Sequence, residues 1–383
     1  MFNKVLIANR GDIAVSMIRS CKELGIKTVA VYSSADMESL HISLADESYC
    51  IGPADPMKSY CNADVITCTA INCGADAVYV GYGFLAESIP LIEKCKAAGI
   101  TCIGPDTAII EFLSDKSAVK NLMRELAVPT NMNRLHGAPK EIDIQLIGDS
   151  SGALYVIGDR DSSYINNTTR LMGESPAYAV SDKTRKKLYK AAKKIAGALN
   201  FVGVGSINFY VDREGNHVFK QFVPRLQVGC AITETQCRIN LTKWQIRIAA
   251  GETLSFSDED LFLAGCTLGC RIYAVNPAND MPQTGEVSIL HIPCGLGVRI
   301  ETAVYQNCTL PLEYEPILAK VIVHAGNREE AIIKMKNALS ELVTEGVINN
   351  SELFIDFLNT EEFQSGDYDI TSYSKLLSKR TDY

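Results

Sequence analysis

The residue types best arranged for chemistry fall in residues 204–222, VGSINFYVDREGNHVFKQF. Two alternating runs flank Arg213, Glu214, Gly215 and Asn216, which reads as a four-residue hairpin loop. That loop predicts Asp212 paired with His217 and Asn208 directly opposite Gln221, with Cβ atoms about 4.5–5.5 Å apart on one face. Two side-chain oxygens placed so could share one cation. Carboxylates there would make a Mg²⁺-nucleotide site, because Mg²⁺ is held by one or two carboxylates together with phosphate oxygens. This chain offers two neutral amides instead. They can touch a hard cation but add no charge, so metal binding is expected to be much weaker.

Other motifs exclude more than they assign. The first strand-to-helix turn carries one glycine, Gly11, with no GxGxxG after it, and no Walker A loop occurs anywhere. The 13 cysteines contain no CxxC pair, Cys266 and Cys270 being the closest spacing, and five histidines do not supply a zinc site. The cysteines are expected to act as small buried apolar residues in a reducing cytosol. Seven Lys and Arg residues on a helix over residues 181–199 are expected to form a solvated outer face rather than an anion site.

The elements that must hold these residues are legible from periodicity. Residues 4–8, 28–32, 77–80 and 101–103 read as strands, and Ile13, Met17, Ile18, Cys21 and Leu24 recur at helical spacing between the first two. Strands alternating with helices predict a parallel sheet over residues 1–112. Strands at 142–147 and 153–156 and the hairpin mark a second region, 113–260. A third, α+β region over 261–370 has strands at 267–274, 287–292, 298–304 and 317–323 and a helix over 328–342. Residues 371–383 are expected to be a loose polar tail.

At 383 residues, 47% hydrophobic and 21% charged, the chain suits two or three packed domains. A net charge of −8 argues against nucleic-acid partners. No apolar run is long enough for a membrane span, and the opening MFNKVLIANRGD does not read as a signal peptide. A cytoplasmic protein is expected.

IANRGDIA (7–14), GYGFLAES (81–88), IGPD (103–106), SDKSAVK (114–120), GDRDSS (158–163), PRLQV (224–228), IAAGE (248–252), GVRIET (297–302) and EPILAKVIV (315–323) resemble, in order, the motifs of biotin carboxylase. This is the ATP-grasp component of acyl-CoA carboxylases, including the acetyl-CoA carboxylase of fatty acid biosynthesis. The resemblance implies a mixed α/β and α+β chain in three parts: a Rossmann-like pre-ATP-grasp domain, an ATP-grasp core and a C-terminal α+β domain. It also implies ATP, Mg²⁺ and carrier-bound biotin as the family's cofactor set, with carboxyphosphate as intermediate.

The departures from the family pattern are patterned themselves. Between AVPT (127–130) and EIDIQLIGD (141–149) only about ten residues remain, the length of a simple connection. In the family this stretch holds the glycine-rich lid that closes over the transferring phosphoryl group, so the core is expected to be truncated. The family's two metal-binding glutamates correspond to Asn208 and Gln221, and an asparagine nearby to Val223. The glutamate that acts as base toward bicarbonate corresponds to Gly229, which cannot accept a proton. A lysine near the phosphate corresponds to Arg170, with changed geometry.

Other positions persist. Arg225, Gln227, Val228 and Arg299 match those that hold bicarbonate or stabilise the biotin enolate, Tyr82 one near the biotin ring, and Lys116 one near the nucleotide. Two arginines can bind a small anion without metal; they can equally persist as structural ion pairs. Arg19, Glu23 and Phe363 match dimer-interface positions, although Arg19 and Glu23, at i and i+4, could simply pair within their helix. The leading expectation is a catalytically degenerate homologue acting as a structural or regulatory subunit. Its partner would be an active biotin carboxylase subunit or a biotin carboxyl carrier protein, in a homo- or heterodimer. The rivals are a working ATP-dependent biotin carboxylase and a bicarbonate sensor built on Arg225 and Arg299.

Overall fold

The computed structural model describes residues 1–256, 261, 264–277 and 281–381. The N-terminal part is a five-stranded parallel sheet. Its strands are β1 (Lys4–Ile7), β2 (Lys27–Tyr32), β3 (Glu47–Cys50), β4 (Ala77–Tyr79) and β5 (Thr101–Ile103), in the order β3-β2-β1-β4-β5. Four of the five follow the apolar runs in the sequence. The polar β3, ESYC, lies at the sheet's edge and is largely exposed, so it had no hydrophobic signature. Helix α1 (Gly11–Glu23) buries Ile13, Met17, Ile18 and Cys21, as their spacing requires.

Helices α2 (Thr107–Ser114) and α3 (Lys116–Glu125) lead into a second, antiparallel sheet. It contains β6 (Lys140–Gly148), β7 (Leu154–Asp161), β8 (Met172–Ser175), β9 (Gly203–Val211), β10 (His217–Val223), β11 (Cys266–Tyr273), β12 (Val298–Glu301) and β13 (Ile317–Ala325). Their order is β10-β9-β6-β7-β8-β11-β13-β12. The expected boundary at residue 260 itself lies outside the described residues. Across it the sheet is continuous, because β8 pairs with β11 from Met172↔Cys270 to Ser175↔Thr267.

Strand β6, KEIDIQLIG, alternates from Glu141 to Leu146. Ile142, Ile144 and Leu146 pack with Leu188, Ala192 and Ile195 of helix α4 (Asp182–Ala198). The opposite face carries Glu141, Asp143 and Gln145, all buried. Helix α4 does present an exposed lysine face, while Arg185 turns inward to Asp159 at 3.0 Å.

Two expectations about the C-terminal region need correcting. The tail is not loose: Ser372–Thr381 is a helix, and Tyr373 is buried against Tyr164. Phe363 is 0% exposed, stacked on Tyr368 and packed against Phe357. Its ring is core and has no surface to give a partner. Arg19 and Glu23 are exposed, but Glu23 pairs with Lys243 of the helix Leu241–Ala249 rather than with Arg19.

Candidate active site

The hairpin keeps the expected rung by a different route. Val211, not Asp212, pairs with His217, which shifts the register by one. A bulge at Lys220 then restores it, so Asn208 faces Gln221. The rung continues across the sheet: Asn208 stands opposite Asp143 of β6, and Asp143 opposite Arg160 of β7.

Burial divides the two amides. Gln221 is exposed, whereas Asn208 is fully buried and its Nδ2 donates to Asp143. The Asn208 amide nitrogen is thus committed to Asp143. Asp143 is committed further, accepting from Arg160 Nη2 at 2.9 Å and from Ser162 Oγ at 2.9 Å. Among the described residues no cluster of three or more His, Cys, Asp or Glu could hold a metal. The donor set does not fit the Mg²⁺ that the family resemblance implies.

The cations on this face are matched by buried carboxylates. Arg170 pairs with Glu141 and lies 3.4 Å from Asp143, and the bulged Lys220 reaches Glu141 at 2.7 Å. Burial works against ionised Asp143, yet Arg170 and Arg160 hold its carboxyl below the usual range. Burial likewise opposes the Arg170 charge, which Asp143 and Glu141 outweigh. The charge at position 170 is kept, but it is spent inside the protein. Lys116, by contrast, is exposed at the start of α3 and lines a groove that it shares with Lys220.

Gly229 explains how the face closes. A Cβ built there would lie 2.9 Å from Arg160 Nε and 3.3 Å from its Cζ, tighter than ordinary packing allows. Arg160 is 1% exposed and fills the space a side chain at 229 would need. It also donates to Gln227 Oε1 at 2.8 Å and to Thr233 Oγ1 at 2.6 Å. Arg160 Nε, Gln227 Nε2 and Asn208 Oδ1 are buried with no hydrogen-bond partner among the described residues. Beside Arg160 a cavity of ≈ 20 Å³, lined also by Arg170, Val228, Gly229 and Lys320, is about the size of one water. Neighbouring Cys230 gives its backbone position to the helix start, and burial pushes its thiol up to about 11, too high for a nucleophile.

A second cluster joins the N- and C-terminal parts. Arg299 on β12 pairs with Glu234 at 2.7 Å and with Glu301. Lys320 on β13 reaches Glu301 at 3.0 Å, Asp12 at 2.5 Å and the Tyr82 hydroxyl at 3.1 Å. Arg299 and Tyr82 are thus brought together through Glu301 and Lys320. Burial alone would raise the Glu301 carboxyl, but Lys320 and Arg299 lower it to about 2. Burial also pushes the Tyr82 hydroxyl up, aided by Asp12. Glu301 and Asp12 line a cavity of ≈ 380 Å³ between the two parts.

Arg225 stands apart from this cluster, paired with Glu87 at 3.0 Å. Arg225 and Arg299 thus each already hold carboxylates of this chain, Glu87 for the first and Glu234 and Glu301 for the second. Sequence reasoning missed Glu141, Asp143, Arg160, Glu234, Glu301 and Lys320. The alternation of β6 was the available signal for the first two.

Comparison with known proteins places this geometry. Residues 1–110 match the biotin carboxylase N-terminal domain, 115–257 the ATP-binding domain of the carbamoyl-phosphate synthase L chain, and 269–374 the biotin carboxylase C-terminal domain. The chain is 32% identical to biotin carboxylase of Pseudomonas aeruginosa, with 98% of this chain and 99% of that one covered. It is 33% identical to biotin carboxylase 1 of Bacillus subtilis, over 96% and 97%. Among solved structures, a biotin carboxylase complex from Campylobacter jejuni superposes with a TM-score of 0.94 at 30% identity, covering 98% and 99%. The bicarbonate-bound biotin carboxylase domain of a thermophilic 2-oxoglutarate carboxylase gives 0.95 at 31%, with both chains fully covered. The chain belongs to the biotin carboxylase family, with its N-terminal, ATP-grasp and C-terminal domains. No described helix is long and apolar enough to cross a membrane.

Proposed function

We propose that this chain is a catalytically degenerate member of the family, a cytoplasmic structural or regulatory subunit of a biotin-dependent acyl-CoA carboxylase. The observation that carries the reading is Gly229 with Arg160 packed into its side-chain space. The family resemblance puts the base there, and a buried guanidinium now occupies the room a base would need. The amides Asn208 and Gln221 support it, one buried and one exposed.

The short connection where the family resemblance places the lid is a further support. The connection from α3 to β6 contains only the short turn Met132–Arg134. The alignment with the Pseudomonas relative runs over 445 positions against 383 residues here, so at least 62 positions lack a counterpart.

A partner role is consistent with two relatives that are themselves named as subunits. One belongs to the pyruvate carboxylase of Methanothermobacter thermautotrophicus, and the other is the small subunit of the 2-oxoglutarate carboxylase of Hydrogenobacter thermophilus. A solved neighbour is a biotin carboxylase domain dimer. The exposed Arg19 and Glu23 remain candidates for such a contact.

The second reading is a working ATP-dependent biotin carboxylase, favoured by the retained Arg299 and Tyr82 cluster and by the names of the relatives. Biotin- and bicarbonate-dependent ATP hydrolysis, assayed beside an active relative, separates the two. The degenerate reading expects no turnover above background. Turnover abolished by Arg299→Ala would establish the working enzyme. Co-sedimentation with an active biotin carboxylase or a biotin carrier protein then tests the partner role, which a persistent lone monomer would contradict.

A further inference from the structure

Helix α4 packs toward β6 through Leu188, Ala192 and Ile195 and turns its opposite face outward. That outer face carries Lys183, Lys186, Lys187, Lys190, Lys193 and Lys194, all exposed. At about 100° per residue the six fall within an arc of about 120°, in a row about 16 Å long at 1.5 Å per residue. None of them is a position matched to nucleotide, metal, bicarbonate or biotin. Asp143 alternates to the other side of β6, so the sheet stands between this row and the closed site.

Two features set the row apart from a solvated surface of mixed charge. First, nothing balances it. The stretch KTRKKLYKAAKK, residues 183–194, contains no acid, and none of the six lysines makes an ion pair among the described residues. Asp182, the acid of the first turn, is paired with Arg185 at 2.8 Å. Like charges three or four residues apart destabilise a helix, and Lys183, Lys187, Lys190 and Lys194 follow one another at those spacings. This row stands in a chain whose net charge is −8.

Second, its chemistry is that of lysine alone. Arginine has a planar fork that holds one carboxylate or phosphate by two bonds. The helix's one arginine, Arg185, turns inward to Asp159 at 3.0 Å. Its one aromatic, Tyr189, also bonds Asp159, at 2.6 Å, so no ring among the lysines offers a platform for stacked bases. None of the six lines the cavities beside Arg160, Asp12, Lys116 or Trp244. A convex row of mobile point charges, without fork or pocket, suits many anions spread over a surface rather than one anion in a fixed site.

We propose that the outer face of α4 docks this chain on an anionic lipid surface. The contact is peripheral and reversible. Each lysine close to such a surface adds about fivefold to the affinity. The attraction fades within a Debye length, about 10 Å at 0.1 M salt. This inference does not rest on the proposed function above: carboxylase turnover would defeat the degenerate reading and leave lipid binding untouched.

The test is co-sedimentation of the full chain with vesicles of phosphatidylcholine alone and of phosphatidylcholine mixed with phosphatidylserine. The expected result is saturable binding to the mixed vesicles only, lost at 1 M salt, where the Debye length is about 3 Å. Lys190→Ala should weaken binding about fivefold. Lys187→Glu, Lys190→Glu and Lys194→Glu together should abolish it, whereas changing the same three to arginine keeps the charge and should preserve it. All three side chains are exposed, so the variants should fold with an unchanged melting temperature.

No binding to the mixed vesicles, equal binding to both kinds, or binding that survives the triple reversal would overturn the proposal. So would binding of soluble polyglutamate with none to vesicles, which would assign the row to an acidic protein partner.

Discussion

Around Asp143, buried carboxylates and cations close on one another, with Arg160 1% exposed and Gly229 making room for it. Around Lys320 the same residue types leave an opening: Arg299 keeps 34% of its side chain in solvent, and Asp12 and Glu301 border a cavity. The first cluster occupies the ground on which the family resemblance places metal and base. The second contains Arg299 and Tyr82, which match positions beside biotin. Charges survive in both, so residue retention alone does not report retained chemistry. What differs is how far the arginine is open to solvent: both arginines pair with carboxylates of their own chain, but Arg160 is 1% exposed and Arg299 34%.

The contrast can be broken at its tightest point. Arg160→Ala leaves Asp143 with one fewer cation in a site without solvent, and removing one partner of a buried pair costs about 3–5 kcal/mol. Chemical denaturation should show a loss of that order. Gly229→Ala should follow, since overpacking of this kind costs about 1–3 kcal/mol. A neutral or stabilising result would mean that Arg160 moves aside freely and that the site is not closed.

The second cluster should respond to acid. The Glu301 carboxyl, held near 2 in the folded chain against an ordinary 4.5, is depressed by folding. Its contribution is therefore present above about pH 4.5 and lost as the pH falls toward 2. Urea midpoints measured across that window should fall, and Glu301→Gln should flatten the slope. Arg299→Ala is the smallest effect, about 1 kcal/mol or less for a pair partly open to water. A larger loss would show that this cluster is as sealed as the first.

The sequence disclosed most of what periodicity controls. Strands with apolar alternation and helices with apolar stripes lie where expected, and Asn208 faces Gln221 despite the slip at His217. What it concealed depends on packing between distant segments. Glu141, Asp143 and Gln145 alternate like a solvated strand face, and partners from residues 160, 162, 170, 205, 208, 220 and 230 make that face an interior. Lys220 enters through a bulge, which no pattern of hydrophobicity records. Phe363 was expected at a surface because a resemblance supplies positions but not exposure; its aromatic neighbours Phe357 and Tyr368 place it in the core.

Binding of Mg·ATP tests the closed site most directly. Calorimetry of the full chain, beside an active relative under the same conditions, should give no saturable heat for this chain at concentrations that saturate the relative. Saturable binding that requires Mg²⁺ and is lost on Asn208→Ala would show that the Asp143 face opens to metal and nucleotide, and the degenerate reading would fall.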